Sequence, residues 1–272
     1  MMLAGELKGK LREIGLKPQR NLGQNFLVSP HIARRIAAQL PQEGNVLEIG
    51  PGMGSLTVFL AKRCQSVTAV EISGRMVEFL RREMEFSNLH FVKGDFMNAD
   101  PRELPGYPFA AVAGNLPYSI SSPALFRMLE EGFRSVDRAV LMLQREVARR
   151  LCALDGGGDY GKLSLQVWPI FKTKALLDAG PDDFYPAPRV RSRVVIMDRR
   201  PEPLVKPENF AVYRKMVRVS FAARRKTILN NLKPLLGRDR AVEVLRDCGI
   251  DPGCRAEQLE PEKFVHLAKA MA

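Results

Sequence analysis

The chain has 272 residues, 46% of them hydrophobic, and carries 42 Lys and Arg against 30 Asp and Glu, a net charge of +12. At roughly 100–200 residues per domain this length predicts a large domain and a small one, and no apolar run approaches the ~20 residues that span a bilayer, so a soluble cytoplasmic protein is expected. Cys64, Cys152, Cys248 and Cys254 form no CxxC pair, and His31, His90 and His266 lie far apart, which argues against a disulfide framework and against a bound metal.

Along the chain, Leu3, Leu7, Leu11 and Ile14 recur at helical spacing and predict a helix over Met2–Leu16, broken by Lys17-Pro18-Gln19-Arg20. Ser29-Pro30 reads as an N-cap with proline at the first helical position, opening a helix through Leu40. An alternation follows. Strands are expected at Val46–Ile49, Val67–Ile72, His90–Lys93, Phe109–Ala113 and Ala139–Leu143. Helices are expected at Leu56–Arg63, Met76–Glu85, Pro123–Glu131 and Glu146–Leu151. This rhythm means parallel βαβ units and an α/β, doubly wound sheet. Val194–Met197, after the Pro-rich stretch 181–188, adds a late antiparallel strand.

Arg199-Arg200-Pro201-Glu202-Pro203 marks a boundary, dividing a domain at 1–200 from one at 201–272. The second is helical throughout, at Phe210–Phe221, Lys226–Leu236, Ala241–Cys248 and Pro261–Met271. Charge is uneven: +3 over residues 1–27, +2 over 28–179 and +7 over 180–272. An excess at both ends of a nearly neutral centre suits a polyanion gripped from the flanks, because each neutralised phosphate releases counterions.

Glu48-Ile49-Gly50-Pro51-Gly52-Met53-Gly54 falls where the first strand of the sheet turns into a helix. Glycines there let the backbone approach a ligand closely, and a helix N-terminus offers free N–H groups. The spacing is G-x-G-x-G followed by Ser55, which leans away from the G-x-G-x-x-G of dinucleotide sites. Glu71 ends the second strand, where a carboxylate accepts hydrogen bonds from ribose hydroxyls in nucleotide and S-adenosylmethionine sites alike. Asp95 ends the third, placed to accept from an adenine amino group with Phe96 packed nearby; a turn cap is the alternative reading.

Asn115-Leu116-Pro117-Tyr118 follows the fourth strand and is the most specific word in the sequence. An adenine exocyclic amine is a poor nucleophile because its lone pair is delocalised into the ring. A side-chain carbonyl on Asn115 and the backbone carbonyl of Leu116 would accept its hydrogens as positive charge develops, stabilising the transition state more than the ground state. Pro117 stiffens the loop, and Tyr118 offers a stacking face to an extruded base. Such a reaction needs neither a general base nor a metal.

With these motifs placed, the chain resembles the ribosomal RNA adenine dimethyltransferase family, most of all its bacterial small-subunit branch. Gly23-Gln24-Asn25-Phe26-Leu27, Glu48–Gly54, Val70-Glu71, Gly94-Asp95, Asn115–Tyr118 and Phe184-Tyr185-Pro186-Ala187-Pro188-Arg189-Val190 match that family's motifs in order. The resemblance continues through Leu143–Val147, Tyr160–Ser164, Arg224-Arg225-Lys226-Thr227 and Gly249-Ile250-Asp251-Pro252, covering essentially residues 20–265. It implies a class I methyltransferase fold, Rossmann-like and doubly wound, with a small all-helical C-terminal domain for RNA recognition. It implies transfer of four methyls from S-adenosylmethionine to N6 of two adjacent adenosines in a 3′-terminal hairpin loop of 16S rRNA, by a monomer acting on the immature 30S subunit. By match, Gln24, Asn25, Leu27, Gly50, Gly52, Glu71, Asp95 and Asn115 contact the cofactor. Asn115, Leu116, Pro117 and Tyr118 handle the base, with Phe184 beneath or above it, and Arg224, Arg225 and Lys226 contact RNA. Ser119, where Asn is expected, and Arg191, where an acid is common, are departures; Ser119 bears on how the catalytic loop is braced.

Overall fold

The computed structural model describes residues 4–18 and 23–271. Met2, Leu3, Gln19 and Arg20, part of the expected N-terminal helix and of its break, lie outside the described residues. In chain order the elements are α1 (Ala4–Glu13), β1 (Phe26–Leu27), α2 (Pro30–Ala37), β2 (Asn45–Ile49), α3 (Thr57–Ala61), β3 (Ser66–Glu71), α4 (Gly74–Glu83) and β4 (Leu89–Lys93). Then come β5 (Phe109–Asn115), α5 (Ser121–Arg127), β6 (Arg138–Gln144), α6 (Arg145–Cys152), α7 (Lys162–Val167), β7 (Phe171–Ala179), β8 (Phe184–Tyr185) and β9 (Ser192–Arg199). The chain ends with α8 (Phe210–Ser220), α9 (Ile228–Leu236), α10 (Arg238–Asp247) and α11 (Pro261–Met271).

Two compact units form, one of Met1–Ala148 with Thr173–Arg199, the other of Arg149–Lys172 with Arg200–Ala272. In the first, a seven-stranded sheet runs in the order β4-β3-β2-β5-β6-β9-β7. Strands β2 to β6 pair in parallel, whereas β9 pairs antiparallel to β6, with Ser192 opposite Gln144. Parallel strands covered on both faces need apolar side chains at nearly every position. Val46, Leu47 and Ile49 of β2, and Ala139 to Leu143 of β6, are accordingly buried. The order reverses direction between β2 and β5, and at such a switch point the strand ends leave a crevice.

The N-terminal helix is a packed part of this unit. Leu7 and Leu11 are buried in a cluster with Met76, Val77, Phe79 and Leu80 of α4. On the solvent side Arg82 meets Glu13 at 3.0 Å and Lys10 meets Glu83 at 3.4 Å, exposed pairs that add little beside the apolar burial. Ser29 occupies the N-cap position of α2, with Pro30 behind it, but its hydroxyl makes no capping bond. Strands β1, β7 and β8 and helix α7 are absent from the pattern reading. β1 and β8 form a two-stranded ribbon that pairs Phe26 with Tyr185 and Leu27 with Phe184, extended by Val28 N–H donating to the Asp183 carbonyl at 2.8 Å.

The second unit is helical around Tyr160, Trp168, Tyr213, Met216, Val217, Phe221, Leu232 and Phe264. It takes in Arg149–Lys172, a segment that a boundary at 200 leaves with the sheet. Two phenols hold it internally: Tyr213 donates to the Leu165 carbonyl at 2.7 Å and Tyr160 to the Leu259 carbonyl at 2.9 Å.

Truncating Leu7 to Ala should lower the stability of the sheet unit by about 2–5 kcal/mol in urea unfolding, the usual cost of a buried Leu-to-Ala cavity. An unchanged midpoint would mean that α1 is not part of the core.

Candidate active site

A cleft of about 250 Å³ opens at the carboxyl ends of β2, β3, β4 and β5. Its wall includes Gln24, Asn25, Leu27, Gly50, Gly52, Glu71, Asp95, Asn115, Leu116, Pro117 and Tyr118. Residues spread over nearly a hundred positions of sequence thus meet, because parallel pairing brings the strand ends to one edge.

The glycine loop after β2 is a run of turns; α3 begins only at Thr57 and spans five residues, so the helix start lies further along than the sequence suggests. Its amides serve another purpose. Gly52 N–H donates to Glu71 Oε2 at 3.1 Å, and Ser73 N–H donates to Glu71 Oε1 at 3.0 Å. The Glu71 carboxylate therefore ties the end of β3 to the glycine loop while keeping acceptor capacity for a further donor. Burial raises its pKa, and the amides of Ser73, Gly52 and Ile72 pull it back. Gly52 has φ of +57°, and a β-carbon there would lie 3.0 Å from the Phe26 ring, so the loop needs glycine for both backbone and space.

Glu48 also lines the cleft, a role that its position in the glycine motif did not disclose. It is 1% exposed and its Oε2 has no hydrogen-bond partner. Burial pushes its carboxyl up to about 8, helped by the nearby charge of Glu71 and opposed by the Thr57 hydroxyl. Burial thus favours the neutral acid at Glu48, a form able to donate as well as accept. Ile72, next to Glu71, was also missed: it is 66% exposed at the rim, an apolar surface facing the cleft.

Asp95 uses both oxygens locally. Oδ1 accepts from Met97 N–H at 2.9 Å and Oδ2 from the Asn98 amide at 2.8 Å, so the turn-cap reading describes its bonds within the chain. Phe96 is buried beside it, tilted against Phe133 at 5.6 Å.

At the far lip, the Asn115 amide nitrogen donates to the Asn25 carbonyl at 2.9 Å. That bond fixes which end of the amide is which and leaves Oδ1 as the acceptor. Leu116 N–H donates to the Met142 carbonyl at 3.2 Å, and the Pro117 carbonyl accepts from Ser121 Oγ at 3.2 Å. The Tyr118 hydroxyl lies 3.1 Å from the buried Ser192 hydroxyl, which holds the ring from the start of β9. Gly23 lies so close over this loop that a β-carbon would come within 2.8 Å of the Tyr118 nitrogen. Segment 23–27 is therefore a clamp on the loop as well as a wall of the cleft.

Phe184 is not brought to the cleft. It is 4% exposed and packs in the core with Leu27, Ile32, Ile36 and Leu60, because strand alternation in β8 turns it inward. As placed it presents no face to a base. Arg224, Arg225 and Lys226 belong to the helical unit, on the exposed turn between α8 and α9 and ahead of the helix expected to begin at Lys226. Arg224 donates to the carbonyls of Gly158 at 2.8 Å and Tyr160 at 3.4 Å, so its guanidinium also braces that loop.

An acid whose folded pKa lies above its unfolded value stabilises the fold fully at low pH. That stability is lost as pH rises from about 4.5 to about 8. Glu48→Gln, measured by urea unfolding without ligand across that range, should remove this downward slope relative to the parent protein. Parallel profiles would show that Glu48 is ionised in the fold.

The sequence profile of a family described as ribosomal RNA adenine dimethylase matches residues 15–272. Among curated relatives, ribosomal RNA small subunit methyltransferase A of Geobacter metallireducens is 38% identical over 271 residues, covering 96% of this chain and 98% of the relative. The protein of the same description from Myxococcus xanthus is 39% identical over 266 residues, covering 96% and 93%. Of solved structures, a dimethyladenosine transferase from Plasmodium falciparum superposes with a TM-score of 0.78 at 25% identity, covering 89% of this chain and 95% of that one. The 23S rRNA methyltransferase ErmE gives 0.72 at 31% identity, covering 90% and 99%. The fold is that of a class I methyltransferase, and the chain belongs to the ribosomal RNA adenine dimethylase family.

Proposed function

We propose that the chain transfers methyl groups from S-adenosylmethionine to N6 of two adjacent adenosines in the 3′-terminal hairpin loop of 16S rRNA, within the immature 30S subunit. The observation that carries the reading is the Asn115 amide, held by the Asn25 carbonyl so that its oxygen is the end left to accept.

The donor set suits S-adenosylmethionine. Glu71 retains lone pairs suited to ribose hydroxyls, Ile72 supplies an apolar face, and the buried Oε2 of Glu48 is an orphaned polar atom beside the cleft. When bound, the cofactor supplies a sulfonium methyl, an electrophile carrying its own leaving group. The chain's residues then have to orient an amine and relieve its developing charge. Asn115 Oδ1 and the Leu116 carbonyl accept hydrogen bonds from N6, two at the first transfer and one at the second, drawing the nitrogen toward a tetrahedral geometry, and the proton released at each transfer passes to solvent. Tyr118 stacks on the extruded base, its ring steadied by Ser192. Pro117 and the Ser121 bond keep the loop stiff, so little reorganisation accompanies the reaction.

Two curated relatives carry the small-subunit description, which supports 16S rather than 23S rRNA as substrate. On this reading the protein acts as a monomer, and the substrate locates the activity in the cytoplasm. Residues 200–272, the greater part of the helical unit, carry 15 Lys and Arg against 9 Asp and Glu, an excess that supports RNA recognition by that unit. The decisive experiment incubates undermethylated 30S subunits, and separately naked 23S RNA, with the protein and labelled S-adenosylmethionine, followed by mass spectrometry. Label on paired 16S adenosines is expected; label on 23S RNA alone would overturn the substrate.

Asn115→Ala should lower turnover by about 10²–10³-fold, the usual cost of removing one preoriented dipole, while RNA affinity stays unchanged. Near-normal dimethylation would remove Asn115 from the reaction. Replacing Arg225 and Lys226 with Gln, leaving the bracing Arg224 intact, should reduce the salt dependence of RNA affinity by roughly one unit of slope per lost phosphate contact. An unaltered slope would mean that both side chains face only solvent.

A further inference from the structure

At the end of β4 the cleft wall, Gly94–Met97, runs into a tight turn, Asp95–Ala99. Asp95 closes it from within through Met97 and Asn98. From outside it is held by one side chain of α5. Arg127 Nε donates to the Phe96 carbonyl at 2.9 Å, and Nη2 donates to the Ala99 carbonyl. The guanidinium carbon lies 6.0 Å from the Phe96 ring centre and 5.9 Å from that of Phe133, and Nη1 is anchored by Glu130 at 2.8 Å. The side chain is only 14% exposed. A planar five-donor fork suits this arrangement, since it reaches two carbonyls and a carboxylate while lying beside two rings.

Arg127 is the last residue of α5, and the first turn of that helix secures the catalytic loop. Ala124 N–H donates to the Ile120 carbonyl at 2.8 Å, and Ser121 Oγ reaches the Pro117 carbonyl. One short rigid helix thus carries the catalytic loop at one end and grips the Asp95–Ala99 wall at the other.

We infer that Arg127 is a positioning residue for cofactor selection: by clamping the Asp95–Ala99 turn it holds the carboxylate and backbone that read the 6-amino edge of the cofactor's adenine, in register with the catalytic loop. The inference rests on the cofactor reading above. It concerns a residue that never touches the ligand, acting through two carbonyls and one ring. Its signature is therefore selectivity for the base and not general loss of fold.

The test measures, by calorimetry, binding of S-adenosylhomocysteine and of S-inosylhomocysteine, which has a carbonyl where adenine has its amine. Wild type, Arg127→Lys and Arg127→Ala are compared, with thermal unfolding recorded for each. Wild type should prefer the adenine ligand. Arg127→Ala should bind it about tenfold or more weakly, as expected for loss of charge-assisted hydrogen bonds, with a much smaller loss for the inosine ligand, so the preference collapses. Arg127→Lys, which keeps the charge without the fork, should fall between and decides the matter if the alanine variant does not fold. Equal losses for both ligands, or wild-type preference in a folded variant, would overturn the inference. Failure of the wild type to bind either ligand would instead remove the cofactor reading, and this inference with it.

Discussion

Parallel pairing is the constraint on which the site depends. A parallel strand delivers its carboxyl end, and the loop after it, to the same edge as its neighbours. Here β2, β3, β4 and β5 deliver glycines, Glu71, Asp95 and Asn115 to one crevice. None of these residues does much alone. Glu71 becomes a fixed acceptor because the Gly52 and Ser73 amides hold its two oxygens, and Asn115 becomes a directed one because the Asn25 carbonyl takes its amide hydrogen. The sheet sets the places, and short hydrogen bonds between adjoining loops set the orientations.

The β1–β8 ribbon adds a second level of organisation. Segment 23–27 lines the cleft, lies over Tyr118, orients Asn115 and pairs with β8. A displacement of this segment would be felt at the cofactor wall and at the catalytic loop together. The cleft wall and the Asn115–Tyr118 loop therefore share one mechanical element, which suits the proposed reaction, whose two reactants must meet in line.

Legibility in the sequence followed physical principle. Strands β2, β3, β5 and β6 stand out because burial on both faces favours nearly continuous apolar runs such as Ala139 to Leu143. By contrast β7, at the sheet edge, interleaves Lys172, Lys174 and Asp178 among its apolar residues, so no clean period of two emerges, and β1 and β8 are too short to have a period at all. Residues of the cleft were readable where chemistry demands a type at a strand end, as with Glu71 and Asn115. Glu48 and Ile72 were not, because their significance lies in exposure: a carboxyl sealed from water, and an aliphatic side chain open to it. Phe184 shows the reverse case: a motif supplied the residue, and in the fold its side chain packs in the core. The bracing of Arg224 by Gly158 and Tyr160 likewise depends on a meeting of distant loops that no local pattern announces.

The two units are threaded through each other: the chain leaves the sheet after Ala148, supplies Arg149–Lys172 to the helical unit, returns for Thr173–Arg199 and departs again. Neither unit is a contiguous stretch of polypeptide. During synthesis Leu165 and Trp168 emerge long before Tyr213, Val217 and Phe264, the residues that will cover them, while β9 must still be inserted between β6 and β7. The apolar surface of the early segment thus has to wait, exposed, for the last seventy residues. Simple removal of the C-terminal portion would leave behind an orphaned half-core in place of a clean catalytic domain.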